Sequence, residues 1–164
     1  MRTASRIREA LGDRVHVNVT SYNRQVLLTG EAPTAADSQR VEQIALGVEN
    51  VRSVVNDLGV MPISSFTQRS ADTYITGKVR ASLVDAKDLS ANAFKVVTER
   101  KAVYLMGRVT EREAKRSAEI ARGVDGVRKV VRVFEVVSEE ELIRPTGAAA
   151  QPASVVTQDP AAQR

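Results

Sequence analysis

Hydrophobic and polar positions follow the same order twice along the chain. Arg40–Val55, RVEQIALGVENVRSVV, aligns without gaps with Arg116–Val131, RSAEIARGVDGVRKVV, and nine of the sixteen positions are identical. Upstream, Val26–Gly30 (VLLTG) matches Val103–Gly107 (VYLMG). The offset between the copies changes only between such blocks, as loops of different length would require. The chain is therefore a tandem duplication.

Each copy begins with a pattern that predicts a helix followed by a hairpin. Apolar residues three and four positions apart share one helix face. Two segments of alternating apolar and polar residues follow, joined by polar turns at residues 21–24 and 98–101, which predicts paired strands. The helix-face residues are Ala4, Ile7 and Leu11 in the first copy and Ile75, Val79 and Leu83 in the second.

The second helix of each copy carries matching start and stop signals. Thr34 with Asp37, and Thr110 with Glu113, have the spacing of a capping box. Near the C-terminal end of each helix, glycines are predicted to allow close packing or helix termination. Asn50 aligns with Gly126, at the position where a residue in the left-handed conformation commonly ends a helix. These structural glycines are Gly47, Gly123 and Gly126. A last strand is predicted over residues 51–60 and again over 127–137.

The order helix, strand, strand, helix, strand predicts an α+β fold with two tandem αββαβ domains. Each should pack two helices on a three-stranded mixed sheet, because a hairpin is antiparallel and a helical crossover favours a parallel return. The domains are predicted at residues 3–60 and 71–137, with a linker at 61–70. Residues 138–164 are predicted to hold an acidic patch and a disordered tail, which lacks apolar periodicity.

Composition argues against several classes of function. The chain has no cysteine, one histidine and no tryptophan, so thiolate chemistry and multi-histidine metal sites are excluded and few rings are available to stack on bases. The net charge of +4 is unevenly placed: residues 1–60 contain seven basic and seven acidic side chains, whereas residues 70–143 contain fourteen and twelve. An anionic partner should therefore prefer the second copy.

The repeat resembles the BON domain, and specifically the dual-BON lipoproteins of the Gram-negative periplasm and outer membrane. The resemblance covers roughly residues 3–137. It is carried by His16–Tyr22 (HVNVTSY), Val26–Gly30 (VLLTG), Gln43–Val48 (QIALGV), Asp72–Arg80 (DTYITGKVR) and Val103–Lys115 (VYLMGRVTEREAK).

This resemblance implies a non-enzymatic protein that supports outer-membrane integrity and envelope stress tolerance. It implies anionic phospholipid, of the phosphatidylglycerol type, as the partner of the second domain, with no cofactor and no metal. It also implies a place in the periplasm at the inner face of the outer membrane. The family's signal peptide and lipidated cysteine are absent from the printed sequence, so anchoring is implied by the resemblance alone.

The first helix of the second domain holds the candidate lipid-binding residues: Asp72, Tyr74, Ile75, Lys78, Val79 and Arg80. If Ile75 and Val79 face the core, Tyr74 and Lys78 share a side away from it. A tyrosine ring at the headgroup boundary and an ammonium at a lipid phosphate would form an interfacial anchor. The alternative is a solvated helix face with one half-buried tyrosine.

Four other features have structural interpretations. Gly123–Gly126 is a GxxG, but it precedes a strand, whereas the nucleic-acid clamp of KH domains joins two helices. His16 is expected to face solvent or the surface between the domains. The remaining charged runs are interpreted as solvated: the basic Arg128, Lys129 and Arg132 as a protected strand edge, and the acidic Glu139, Glu140 and Glu141 as no metal site.

Three functions therefore remain from the sequence. The first is an envelope module that binds anionic phospholipid through the second domain. The alternative is a periplasmic adaptor for envelope proteins, which would use a strand edge or the surface between the domains. Nucleic-acid binding is favoured only by the basic isoelectric point and is not expected.

Overall fold

The computed structural model describes residues 2–143 and 154–158. They form two compact units that divide after Phe66. The first contains α1 (Arg2–Leu11), β1 (His16–Tyr22), β2 (Gln25–Ala32), α2 (Ala35–Leu46), β3 (Ser53–Asn56) and β4 (Gly59–Val60). The second contains α3 (Phe66–Asp85), β5 (Lys95–Glu99), β6 (Ala102–Val109), α4 (Glu111–Arg122), β7 (Lys129–Val136), α5 (Glu139–Ile143) and β8 (Ser154–Gln158). The helix α3 thus begins inside the predicted linker.

The predicted α+β class and the αββαβ order of each domain are confirmed. β1 and β2 form an antiparallel hairpin, and β3 and β4 both pair in parallel with β2. In the second domain β5 and β6 are antiparallel and β7 is parallel to β6. A helical crossover precedes the parallel strand in each case, as the connection requires.

The interruption between β3 and β4 has a local cause in Asn56. Its amide Nδ2 donates to the Ser38 hydroxyl at 3.1 Å, while its Oδ1 accepts from the Leu58 amide at 3.1 Å. These side-chain hydrogen bonds stabilise a local turn, which interrupts the backbone hydrogen bonds between this segment and β2. The single predicted strand therefore lies along β2 in two pieces.

Both hairpins turn through two residues in the left-handed region. In the first domain these are Asn23 and Arg24, at φ 48° and 64°. In the second they are Arg100 and Lys101, at 48° and 66°, between the paired residues Glu99 and Ala102. Two successive positive φ angles match the right-handed twist of the strands, but long side chains are uncommon there.

The core of each domain lies between its two helices and one face of its sheet. In the second domain the helices contribute Ile75, Val79 and Leu83 from α3 and small alanines from α4. The aromatic contact is an edge-to-face pair of Phe94 and Phe134, with centroids 5.9 Å apart. The first domain has the smaller cluster Ile7, Val15, Val26, Leu28, Ala32, Val41 and Ala45.

The helix signals read from the sequence correspond to real caps. The Thr110 hydroxyl accepts from the Glu113 amide at 3.3 Å, and the Glu113 carboxylate accepts from the Thr110 amide at 3.0 Å, which completes a capping box. In α2, Thr34 accepts from the Asp37 amide, and the Asp37 carboxylate accepts from Arg14 at 3.1 Å. Both helices therefore start where their threonines predict.

No helix in the described part of the chain combines the length and the apolar character needed to cross a membrane. The longest, α3, has 20 residues and carries charged side chains along its length.

Equivalent glycines permit a close backbone approach in both domains. A methyl group on Gly30 would overlap the carbonyl oxygen of His16, and one on Gly107 would overlap the carbonyl oxygen of Ala93. By contrast, Gly77 in the middle of α3 has open space around it. The glycine that ends each VLLTG-type block is therefore required by contact with the neighbouring segment.

Gly107→Ala should destabilise the protein by more than about 2 kcal/mol, because a backbone carbonyl must move to admit the methyl group. Gly77→Ala is the matched control and should be neutral or stabilising by up to about 1 kcal/mol, since alanine favours helix. Urea denaturation followed by circular dichroism measures both. Equal stability of Gly107→Ala and the unmodified chain would contradict the close approach.

The described part of the tail corrects the expectation of disorder after residue 144. Ser154–Gln158 forms β8, which pairs antiparallel with β7 from Phe134↔Ser154 to Val130↔Gln158. The sequence SVVTQ is rich in β-branched residues, which favour strands. It extends the predicted three-stranded sheet to four strands in the order β5-β6-β7-β8. Residues 144–153 and 159–164 of the predicted tail lie outside the described residues.

Truncation of the chain after Ile143 should expose the side of β7 that pairs with β8. The β7 amides that bond to β8 should then exchange with deuterium at least about tenfold faster, since each loses a hydrogen bond. The β6 amides, which lie between β5 and β7, should keep their protection and serve as the internal control. Unchanged exchange along β7 would show that β8 does not pair stably.

Candidate functional site

The helix α3 presents two different faces, and only one is accessible. Ile75 and Val79 are 4% and 0% exposed and belong to the core cluster of the second domain. They were candidate lipid-binding residues, but a side chain packed against the sheet cannot touch a ligand at the surface. Their role in the structure is to orient the helix.

Asp72 is a further candidate that faces inward. Its carboxylate accepts from the Arg100 amide at 2.9 Å through Oδ2 and from the Lys101 amide at 3.0 Å through Oδ1. Since the side chain is 5% exposed, it holds the β5–β6 turn and is not placed to contact a lipid. The hairpin turn is thereby fastened to α3.

The outward face of α3 carries three exposed apolar side chains. Phe66, Tyr74 and Val84 are 84%, 68% and 67% exposed. At 100° per residue they fall within an arc of about 80°, on the side opposite Ile75 and Val79. Phe66 and Val84 were missed from the sequence, although their spacing from Tyr74 is helical. Small residues lie between them on this face: Ser70, Gly77 and Ala81.

Lys78 is tied to two neighbours beside this face. Its ammonium lies 4.8 Å from the centroid of the Tyr74 ring, within the range of a cation–π contact. It also donates to the Asp125 carbonyl at 2.8 Å. The structure thus brings Tyr74 and Lys78 together as predicted from the helical wheel. Arg80 is exposed on the same helix.

The GxxG segment connects α4 to β7 and has no helix on its far side. Gly123 ends α4 in an ordinary right-handed conformation, and Gly126 has φ 92°. In the first domain Gly47 and Asn50, with φ 70°, repeat this arrangement. A helix-to-strand connection is unlike the KH clamp, and its carbonyl at Asp125 serves as the acceptor for Lys78.

The basic run of the second domain does not form a uniform solvated edge. Arg128 and Lys129 are exposed, but the Arg132 side chain is only 15% exposed and lies 3.8 Å from the Glu111 carboxylate. The strand β7 is also covered by β8. The expectation of a solvated edge was therefore wrong for Arg132, because its side chain is largely buried and the sheet continues past it.

His16 also differs from a solvent-facing residue. It sits opposite Glu31 in the β1–β2 ladder, with Nδ1 at 3.0 Å from the carboxylate, and its side chain is 15% exposed. Burial alone would raise the pKa of the Glu31 carboxyl, but hydrogen bonds from Ser64 and the contact with His16 hold this pKa below its usual value. The cross-strand partner could not be seen from local spacing, since it is fifteen residues away.

The acidic residues after β7 form the short helix α5. Glu139, Glu140 and Glu141 occupy its first turn and are exposed. The Ser138 hydroxyl accepts from the Glu141 amide, and Arg108 donates to the Glu141 carbonyl. These contacts fasten the end of the domain through backbone atoms.

Comparison with known families decides the assignment. The model of the BON domain matches the chain twice, over residues 2–62 and 71–138. The chain belongs to the BON domain family. The two matches correspond to the two αββαβ units.

Three relatives align with both BON domains. The outer membrane lipoprotein DolP of Haemophilus influenzae is 39% identical over 73% of this chain and 62% of its own length. The 21 kDa hemolysin of Actinobacillus pleuropneumoniae is 35% identical over 77% and 66%. The osmotically-inducible protein Y of Escherichia coli is 29% identical over 70% and 58%. The chain thus spans about three fifths of the length of these relatives.

Asp72→Ala should destabilise the second BON domain by about 1–3 kcal/mol, because two turn amides lose their acceptor. Asp72→Asn keeps one acceptor oxygen and should lose less. Urea denaturation measures the stability, and amide chemical shifts of Arg100 and Lys101 report the turn directly. An alanine variant with unchanged stability and shifts would contradict the clamp.

Proposed function

We propose that this BON protein binds anionic phospholipid, of the phosphatidylglycerol type, through the outer face of α3. The observation that carries the proposal is the alignment of Phe66, Tyr74 and Val84 on that face. From Phe66 to Val84 the helix extends about 27 Å. Three exposed apolar side chains over this length suit a helix that lies in the plane of a bilayer, with its apolar side at the headgroup boundary.

The charged side chains next to the apolar face support an anionic surface. Lys78 and Arg80 extend from the same helix, and α3 has no acidic residue in its first turn. The ammonium of Lys78 already contacts the Tyr74 ring, so a lipid phosphate could approach both groups together. Each basic side chain near an anionic membrane contributes about 1 kcal/mol, which salt weakens.

The family and its relatives support the proposed location and role. The DolP relative is named an outer membrane lipoprotein. A lipid-facing helix on a BON protein of the envelope would place this chain at the inner face of the outer membrane, where it would support membrane integrity. The alternative of a periplasmic adaptor for envelope proteins would use a strand edge. β8 covers the β7 edge, so in the described part of the second domain this edge would be β5 or β8.

Vesicle flotation of the full chain tests the proposal. One set of vesicles contains phosphatidylcholine alone, and the other contains phosphatidylcholine mixed with phosphatidylglycerol. The protein should float weakly with the mixed vesicles and hardly with the zwitterionic ones. Tyr74→Ala should lower binding at every salt concentration, because it removes apolar contact. Lys78→Gln, which keeps a donor for the Asp125 carbonyl, should lower binding chiefly at low salt.

Leu46→Ala provides the matched control, since Leu46 is an apolar residue 55% exposed on α2 of the first domain. Its removal should leave vesicle binding unchanged. If Leu46→Ala weakened binding as much as Tyr74→Ala, or if neither changed it, α3 would not be the lipid-binding face and the adaptor function would be favoured.

A further inference from the structure

A second basic feature lies at the hairpin end of the second domain. Arg100, Lys101 and Arg128 line one side of a surface depression, and the first turns of α3 line the other. We call this cluster of three cations the basic corner. Asp72 also lines the depression, so its charged side chains sum to +2. None of the three cations was among the candidate lipid-binding residues.

The backbone holds Arg100 and Lys101 in a conformation that costs free energy. Arg100 and Lys101 occupy the two left-handed positions of the turn, where glycine and asparagine are favoured. The cost is offset by Asp72, whose two oxygens accept from the two turn amides.

Arg128 is attached to the same turn. Its amide donates to the Lys101 carbonyl at 2.9 Å, which sets the start of β7 beside the hairpin. Lys101 and Arg128 are exposed, and within the described part of the chain neither forms an ion pair. Their charges are therefore available to an anion from solution or from a membrane.

The first domain repeats the backbone of the corner with a different set of side chains. There the Arg52 amide donates to the Arg24 carbonyl at 2.8 Å, and Asn23 occupies the position of Arg100. The first domain thus has two cations where the second has three. This equivalent position offers an internal control with the same backbone arrangement, from which two cations can likewise be removed.

We propose that the basic corner binds the phosphate of an anionic phospholipid, as a contact distinct from α3's apolar face. Guanidinium and ammonium groups together satisfy a phosphodiester oxygen by charge-assisted hydrogen bonds. Ala71, which lines the depression, is one helical turn from Tyr74, so one lipid can reach both places. That the phosphate belongs to a lipid rests on the proposed function. Recognition of a phosphate ester by the basic corner does not depend on it.

The test compares two double variants of the full chain, Lys101→Gln/Arg128→Gln and Arg24→Gln/Arg52→Gln. Binding to phosphatidylglycerol vesicles is measured by flotation at low and at physiological salt. The corner variant should lose about 30-fold in affinity at low salt, since each basic residue contributes about fivefold at an anionic surface. The control variant should lose less than about threefold. Circular dichroism verifies that both are folded.

A soluble phosphate ester separates the corner from the membrane. Addition of sn-glycerol 3-phosphate to the labelled full chain should shift the amide resonances of Arg100, Lys101 and Arg128 more than those of Arg24 and Arg52. If glycerol phosphate caused these shifts but the unmodified chain did not bind vesicles, the corner would be supported as a phosphate-ester site. The proposed lipid function would then be overturned.

Two results would overturn the basic corner while leaving the α3 surface intact. One is an equal loss of vesicle binding in the corner and control variants, which would show an effect of total charge alone. The other is unchanged binding in the corner variant while Tyr74→Ala reduces it. If no variant changed binding and glycerol phosphate shifted no resonance, both proposals would fail.

Discussion

The packing of α3 against its sheet determines what every other residue of that helix can do. Ile75, Val79 and Leu83 are almost completely buried, and each buried aliphatic side chain contributes roughly 1.5–3 kcal/mol. A rotation of the helix would remove all three from the core at once. The same rotational setting points Phe66 and Tyr74 outward, so the exposed apolar face is a geometric result of the core.

This setting also joins the helix to the hairpin. Asp72 lies one turn before Ile75, at the N-terminal end of the buried face, and there it reaches the amides of the β5–β6 turn. A single helix orientation therefore produces the core, the outward apolar face and the fixed turn.

Much of the fold could be predicted because the duplication supplied two independent patterns for one architecture. The capping threonines, the alternating strands and the helix faces all recur, and the structure confirms their order. The strand β8 could not be predicted in this way, since its sequence has no counterpart in the repeat. Its partner β7 lies about twenty residues earlier in the chain, so local spacing does not reveal the pairing.

The candidate site was less predictable because it joins residues distant in sequence. The helical wheel separated Tyr74 and Lys78 from Ile75 and Val79, but only the three-dimensional structure shows that Asp72 accepts from a turn 28 residues later. Phe66 was missed because the helix starts inside the predicted linker. Long-range partners such as Glu31 for His16 likewise leave no trace in local spacing.

The pairing of β8 has a consequence for how this protein behaves among copies of itself. Without β8, the edge of β7 would offer its unpaired backbone N–H and C=O groups to any other extended chain. Only ten residues separate Ile143 from Ser154, and short tethers give effective concentrations in the millimolar range. A strand from another molecule would have to reach a comparable concentration to displace β8. The chain's own segment thus keeps the β7 edge from pairing with neighbours, and β5 and β8 are then the edge strands of the described sheet.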